Sequence, residues 1–236
     1  MGVARGEDWG APAERSPDLE LRGEDGDLAR MLEDAGVVGA NPRPFIRFLP
    51  SPKSDLASAI GLSTYSEPGA AGIALPLDVL VFGLSSAGPV DRLEKQDIAV
   101  NGIEVGAAAD RVGWWNRSFA ARISVDGATI FNANAVCIVV MTGEYLRGKD
   151  VSPRGHPGDG KAEVYVYTLR RAQRRSMRRR LTDGSHLPHP EILRRVGSSF
   201  EIALERPAPV RIDSLSRGNA IHLRIDVLQQ AYALLV

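Results

Sequence analysis

ISVDGATIFNANAVCIVVMTGEYLRGKDVSPRGHPGDGKAEVYVYTL, residues 123–169, holds three apolar runs rich in β-branched residues: Ile123–Val125, Ala135–Met141 and Val164–Leu169. Runs of this length and composition read as strands. Asp126-Gly127 follows the first run as a two-residue hairpin signal, because Gly tolerates the positive φ such a turn needs. Between the second and third runs lies a polar segment with Gly143, Gly148, Gly155, Gly158 and Gly160. A long loop held up by strands is either an ordered functional loop or a disordered surface segment. From the residues alone both readings stay open.

Working outward, Phe45–Leu49 alternates as a strand, Pro50–Lys53 reads as a turn, and Ser54 or Asp55 caps a short helix, Leu56–Ile60, stopped by Gly61. A Gly/Ala/Ser/Pro loop spans 63–74, a strand Leu77–Leu84, and a polar turn 88–96. Further strands are expected at 98–106, Phe200–Leu204, Val210–Asp213, His222–Val227 and Tyr232–Val236. Roughly nine short strands with few helices predict a mainly β fold, a β-sandwich. Residues 1–24 read as a disordered acidic leader and 25–44 as a helix (Leu28–Ala35, capped by Asp27) with a linker. Residues 45–236 read as the sandwich domain.

Formal net charge is zero over 236 residues, so no global field steers the chain to nucleic acid or membrane. The distribution is uneven: residues 1–39 carry ten acids against four arginines, and residues 170–180 carry seven arginines and no acid. The single cysteine, Cys137, excludes an internal disulfide and reads as a small core residue. No stretch has the roughly 18–20 apolar residues of a membrane span, and no secretion signal is visible, so a soluble cytoplasmic protein is expected.

A family resemblance rests on Asp126-Gly127, Asn132–Met141, Gly143-Glu144-Tyr145-Leu146-Arg147-Gly148, Pro153 and Asp159–Val164. In order and spacing these resemble the second domain of diacylglycerol kinase-type lipid kinases, where a DG hairpin leads to a strand, an N-G-x-x-x-G-G-G loop and P-x-A-x-x-x-D-G-L-L-D-V. Pro50–Leu62 is similar to that family's P-L-G-T-G-N-D-F-A-R turn, with Ser51, Pro52, Lys53 and Ser54 in place of the Gly-Thr-Gly-Asn part. Val210–Asp213 resembles its V-x-V-D-G-E hairpin, with Ser214 and Leu215 replacing Gly and Glu. The family's Gly-Gly-Asp-Gly-Thr phosphate loop finds no counterpart before Pro50, so the resemblance covers residues 45–236.

The resemblance implies a β-sandwich, Asp159 as a catalytic residue, and Lys53, Ser54 and Asp55 as ATP contacts. Asp159, Glu163 and Asp213 would hold Mg2+ if the protein is active; otherwise no cofactor is expected. Gly155–Lys161 satisfies G-x-x-x-x-G-K, but Ala162 follows where Ser or Thr is needed, and a strand rather than a helix, so it is rejected as a phosphate loop. His186 and His189 flank Pro188, an extended turn unsuited to a metal site.

As a helix, residues 170–180 place Arg170, Arg171, Arg174, Arg175 and Arg178 on one face. A partner of opposite sign would relieve their repulsion: an anionic membrane, phosphate, or the chain's own acidic leader. Without interleaved aromatics, nucleic acid is not favoured. Trp114 and Trp115 either line a lipid pocket or plug one end of the sandwich, and Tyr145 joins them, with Arg171, Arg174, Arg175 and Arg178, as a lipid or membrane contact. Three functional readings follow. One is a lipid-kinase-like protein without its own phosphate loops, binding a lipid or a separate nucleotide-binding kinase subunit, or catalytically silent. The second is an active ATP-dependent lipid kinase with a divergent site. The third is an interaction module using the Arg helix, peripheral at the inner membrane face. Exposed sheet edges leave a homodimer open.

Overall fold

A computed structural model describes residues 9–62, 72–90 and 97–236. The expected loop at 63–74 and turn at 88–96 therefore fall largely outside the described residues, as does the start of the leader. The rest of that leader is not unstructured. Ala11–Pro12 forms strand β1, and Leu19–Gly23 forms β2, in which Leu19 and Leu21 turn inward while Glu20 and Arg22 turn out. Helix α1 spans Asp25–Asp34, three residues earlier than its expected start, and buries Leu28, Ala29 and Leu32. β3 spans Phe45–Pro50, and α2 spans Asp55–Ala59 with Ser54 as its cap, its hydroxyl accepting from the Ala57 N–H at 3.0 Å.

The remaining elements are strands, apart from a 3-10 turn at Ala109–Arg111 and helix α3, Arg171–Arg180. They are β4 (Ile73–Ser85), β5 (Asp97–Ala99), β6 (Gly102–Gly106), β7 (Phe119–Val125), β8 (Ala128–Ala135) and β9 (Cys137–Met141). Next come the two-residue strands β10 (Tyr145–Leu146) and β11 (Lys149–Asp150), then β12 (Ala162–Tyr167), β13 (Ile192–Gly197), β14 (Ser199–Ile212) and β15 (Leu215–Leu235). The fold is mainly β, as expected. The Asp126-Gly127 hairpin forms, with φ of 49° and 81° at its two central residues, but its return strand is β8 rather than the apolar run at 135–141. That run continues past a bend at Val136 and pairs with β6 and β12.

Two long strands organise the sheet. The first half of β14 pairs with β7 and its second half with β6, while β15 pairs with β14, β4 and, in parallel, β3. The hydrogen-bonded ribbon thereby passes from one layer to another. Alternate residues Ile103, Val105, Ile123, Ile138, Val140, Val164, Val166, Ile202 and Ile225 fill one shared core. A second core lies between α1, α2, β3, β4 and the end of β15, with Leu28, Ile46, Phe48, Leu56, Leu77 and Tyr232. The two-core arrangement places α1 and α2 beside the β14–β15 hairpin, where the polar residues described next converge.

Candidate functional site

Four chain segments meet at this corner: the β2–α1 turn, the β3–α2 turn, the β14–β15 hairpin and the β10–β11 hairpin. Asp213 and Ser214 form the β14–β15 turn, with φ of 45° and 69°. The Asp213 carboxylate faces inward and accepts three backbone N–H groups, from Val100 at 2.9 Å and from Asn101 and Gly102 at 3.0 Å. Burial, and next the negative charge of Asp25, push its carboxyl up to about 7. Asp25 is the first residue of α1. Its oxygens accept from the Ser54 hydroxyl and from the N–H groups of Asp55 at 3.0 Å and Leu56 at 3.1 Å, tying the two helix starts together. Burial pushes Asp25 up to about 6.

Asp55 performs the same task for the glycine-rich segment. Its two oxygens accept from the N–H groups of Arg147, at 2.5 Å, and Gly148, at 2.7 Å, the two turn residues between β10 and β11. The segment that follows β9 is therefore pinned to α2, not disordered. Arg147 then turns its guanidinium onto Glu104, at 2.6 and 2.8 Å, and Asp110, at 2.5 and 2.9 Å. Burial opposes the charge on Arg147, but the two carboxylates outweigh it and raise its pKa.

The three acids expected to share a magnesium ion occupy different surroundings. Asp213 is in the corner just described. Asp159 accepts from the Lys161 N–H at 2.9 Å in the turn before β12. Beside it Asp78, pushed up to about 6 by burial, accepts from the N–H groups of Gly160 and Gln230. Glu163, on β12, takes Arg194, Tyr165 and the Ser152 hydroxyl; burial pushes its carboxyl up, but the Arg194 bond and the two hydroxyls hold it low. Among the described residues no group of three or more His, Cys, Asp or Glu side chains has a metal-holding arrangement.

Of the expected nucleotide contacts, Ser54 and Asp55 lie in the corner but bond to Asp25 and the β10–β11 turn. Lys53 is exposed, with its nearest carboxylate, Glu24, at 3.8 Å. Tyr145 stands in β10 against α2, and its carbonyl accepts from Asn101 Nδ2 at 2.8 Å. Trp114 and Trp115 plug nothing: each is 66% exposed. Arg174 is corrected as well. It is 3% exposed, and donates to the carbonyls of Leu169, Gly113 and Asn116. Arg171 and Arg175 are exposed, Arg178 half-buried.

A separate cavity of about 400 Å3 opens between the segment at 153–154 and the loop after α3. Tyr165, Leu187, Pro188 and Ile192 give it apolar walls, and Arg154, His189 and Arg194 give it polar ones.

Burial raises Asp25, Asp78, Asp213 and Asp150 to about 6 or 7, from the ordinary aspartate value near 4. Within that window the folded chain holds more protons than the unfolded one, so stability falls as pH rises through it. His186, pushed by burial down to about 4, opposes this with one proton. The melting temperature is therefore expected to be higher at pH 5 than at pH 8, by about 5 °C or more. A flat profile in calorimetry between these values would contradict the burial assigned to Asp25, Asp78 and Asp213, the half-buried Asp150 adding less.

No protein-family model matches the chain, and neither does any curated protein. Solved structures do. A diacylglycerol kinase from Bacillus anthracis str. Sterne superposes with a TM-score of 0.62 at 19% identity, over 92% of this chain and 75% of that one. The fold is that of the diacylglycerol kinase-type lipid kinases. Two further diacylglycerol kinase-like structures from the same organism give TM-scores of 0.69 at 17% and 19% identity, over 92% of this chain and 77% of theirs. Yeast NADH kinase, solved with NADH, gives 0.51 at 11% identity, over 92% of this chain and 60% of that one.

Within this kinase fold, one expectation from the sequence is corrected. Gly23-Glu24-Asp25-Gly26-Asp27 runs from the last residue of β2 into the first turn of α1 and follows the order of Gly-Gly-Asp-Gly-Thr, with Glu24 and Asp27 as the departures. Sequence reasoning gave Asp25, Glu104 and Arg147 no role, although Arg147 lies inside the Gly143–Gly148 motif. For Asp25 a signal existed: the Leu19-Glu20-Leu21-Arg22 alternation followed by Gly-x-Asp-Gly. Glu104 and Arg147 offered none, since each is charged and the two are 43 residues apart.

Proposed function

We propose that this chain is a catalytically silent, lipid-binding protein built on a lipid-kinase fold. The observation that carries the reading is Leu215. It stands where the family's hairpin pattern has Glu, and its side chain covers Gly26: a Cβ on that glycine would come within 2.7 Å of Leu215 Cδ1. A glycine in such a turn serves to let a phosphate approach the backbone, and here a leucine lies over it.

The surrounding donors point the same way. Asp27 accepts the Glu24 N–H at 3.0 Å, and Glu24, Asp25 and Asp27 load the start of α1 with negative charge, where a polyphosphate would be repelled. Pro52 has no N–H to offer in the neighbouring turn. The Asp55 and Asp213 carboxylates are engaged by backbone N–H groups rather than turned toward a common ion. The residues present do not fit Mg·ATP, and the corner offers a phosphoryl donor no cradle. Lipid binding is supported by the cavity bounded by Tyr165, Leu187 and Ile192 with Arg154 and Arg194, whose walls suit an apolar chain with an anionic head.

Calorimetric titration with Mg·ATP to millimolar concentration is expected to give no saturable heat, and diacylglycerol vesicles are expected to remain unphosphorylated. A saturating isotherm followed by turnover would overturn the silent reading. A fluorescent fatty acid or lysophosphatidate is expected to bind the chain, and to bind Leu187→Asp about tenfold more weakly; failure of both forms to bind would remove the lipid part.

A further inference from the structure

We propose that the Gly113–Asn116 loop and helix α3 together form a docking face for an anionic lipid bilayer. Two observations meet here. Trp114 and Trp115 are each 66% exposed, side by side, on a loop that is held rather than loose. The Gly113 N–H donates to Asn116 Oδ1 at 2.6 Å, and the Asn116 N–H to the Gly113 carbonyl at 3.2 Å. The buried Arg174 guanidinium then donates to the carbonyls of Gly113, at 2.9 Å, and Asn116, at 2.7 Å. One arginine of α3 thus clamps the tryptophan loop to the helix.

Of the other arginines of α3, Arg178 is half-buried and the rest remain outside. Arg171 and Arg178 lie one turn either side of Arg174 on the same stripe of the helix. Arg171, Arg175 and Arg179 are exposed, and none has a carboxylate partner among the described residues; Arg170 reaches Glu191 only at 4.0 Å. No acid occurs between residues 170 and 180. An exposed tryptophan pair prefers the headgroup layer, where the ring is half in hydrocarbon and its N–H stays wet. Unpaired arginines gain from anionic headgroups within a Debye length. Clamping joins the two preferences in one rigid face.

A single-stranded nucleic acid would also pair arginine with aromatic rings, but it needs rings spaced along its backbone path so that successive bases stack. Here the two rings are adjacent at one place beside the helix, and the arginines run on without an aromatic between them. The face suits a surface better than a strand. The proposal stands whether or not the chain binds nucleotide.

The test uses the full chain with Trp9→Phe, so that emission comes from Trp114 and Trp115. Vesicles of phosphatidylcholine with about one third phosphatidylglycerol are compared with phosphatidylcholine alone; anionic content is what generates the surface potential. Expected results are co-sedimentation with the anionic vesicles only, a blue shift of tryptophan emission on binding, and weakening as salt rises. Arg171→Ser with Arg175→Ser is expected to weaken binding about 30-fold, and Trp114→Ser with Trp115→Ser by about tenfold or more. All four side chains are exposed, so unchanged melting temperatures are expected and show that the variants fold. Equal binding to both vesicle types, wild-type affinity in both double variants, or a blue shift with an oligonucleotide and none with vesicles would each overturn the proposal.

Discussion

Arg147→Met is expected to lower unfolding free energy by about 3–5 kcal/mol, because it leaves buried carboxylates without their cation. Glu104 is 1% exposed and Asp110 is largely covered, and both hold the same guanidinium. Methionine keeps much of the apolar stem and the same backbone burden at φ 50°, so the loss reports on the charge cluster rather than on the turn. Urea denaturation should show a lower midpoint with the slope unchanged. Adding Glu104→Gln to that variant removes one orphaned charge and is expected to recover part of the loss, so a double-mutant cycle should give a coupling above about 1 kcal/mol. A single-variant loss below about 1 kcal/mol would mean that water reaches the cluster. The consequence extends beyond stability: Arg147 is the turn residue whose N–H is held by Asp55, so the same side chain and backbone lock the glycine-rich segment to α2.

The second large effect is expected from Asp213→Ala. Three buried N–H groups, those of Val100, Asn101 and Gly102, lose their acceptor at once, and each unsatisfied donor costs about 1–3 kcal/mol. Alanine at φ 45° adds strain in the turn. Partial rescue by water lowers the sum, and a loss of about 4 kcal/mol is expected from the urea midpoint. This variant also separates two roles for the carboxylate. An aspartate kept for a metal ion would leave the metal-free protein almost as stable when removed. A loss under about 1 kcal/mol would therefore reopen the metal reading for Asp213 and weaken the silent-kinase proposal with it.

The strands at Phe45–Leu49, Val164–Tyr167 and Phe200–Leu204 were legible because alternation and β-branching act locally, and the hairpin at Asp126-Gly127 because φ > 0 is a property of single residues. The kinase-like order of motifs was legible for the same reason: turn dipeptides and glycines mark positions along the chain. The Gly23–Asp27 turn was not. Its alternating strand is short, acidic residues surround it, and its parallel partner β3 lies more than twenty residues downstream, so a solvated leader fitted the local pattern equally well.

What the sequence determined alone is the mainly β class, most strand and helix positions, and the turn chemistry, all of which depend on backbone preferences and on burial with a period of two or 3.6 residues. Tertiary structure decided which charges are buried and what they hold. Seven arginines between 170 and 180 look alike in sequence, yet only Arg174 finds carbonyls at 113 and 116 to replace its water. Asp159, Glu163 and Asp213 look alike too, yet they end in three separate hydrogen-bond sets. Desolvation is set by neighbours distant in the chain, and a carboxylate or guanidinium carries no local mark of the donors or acceptors that folding will bring to it.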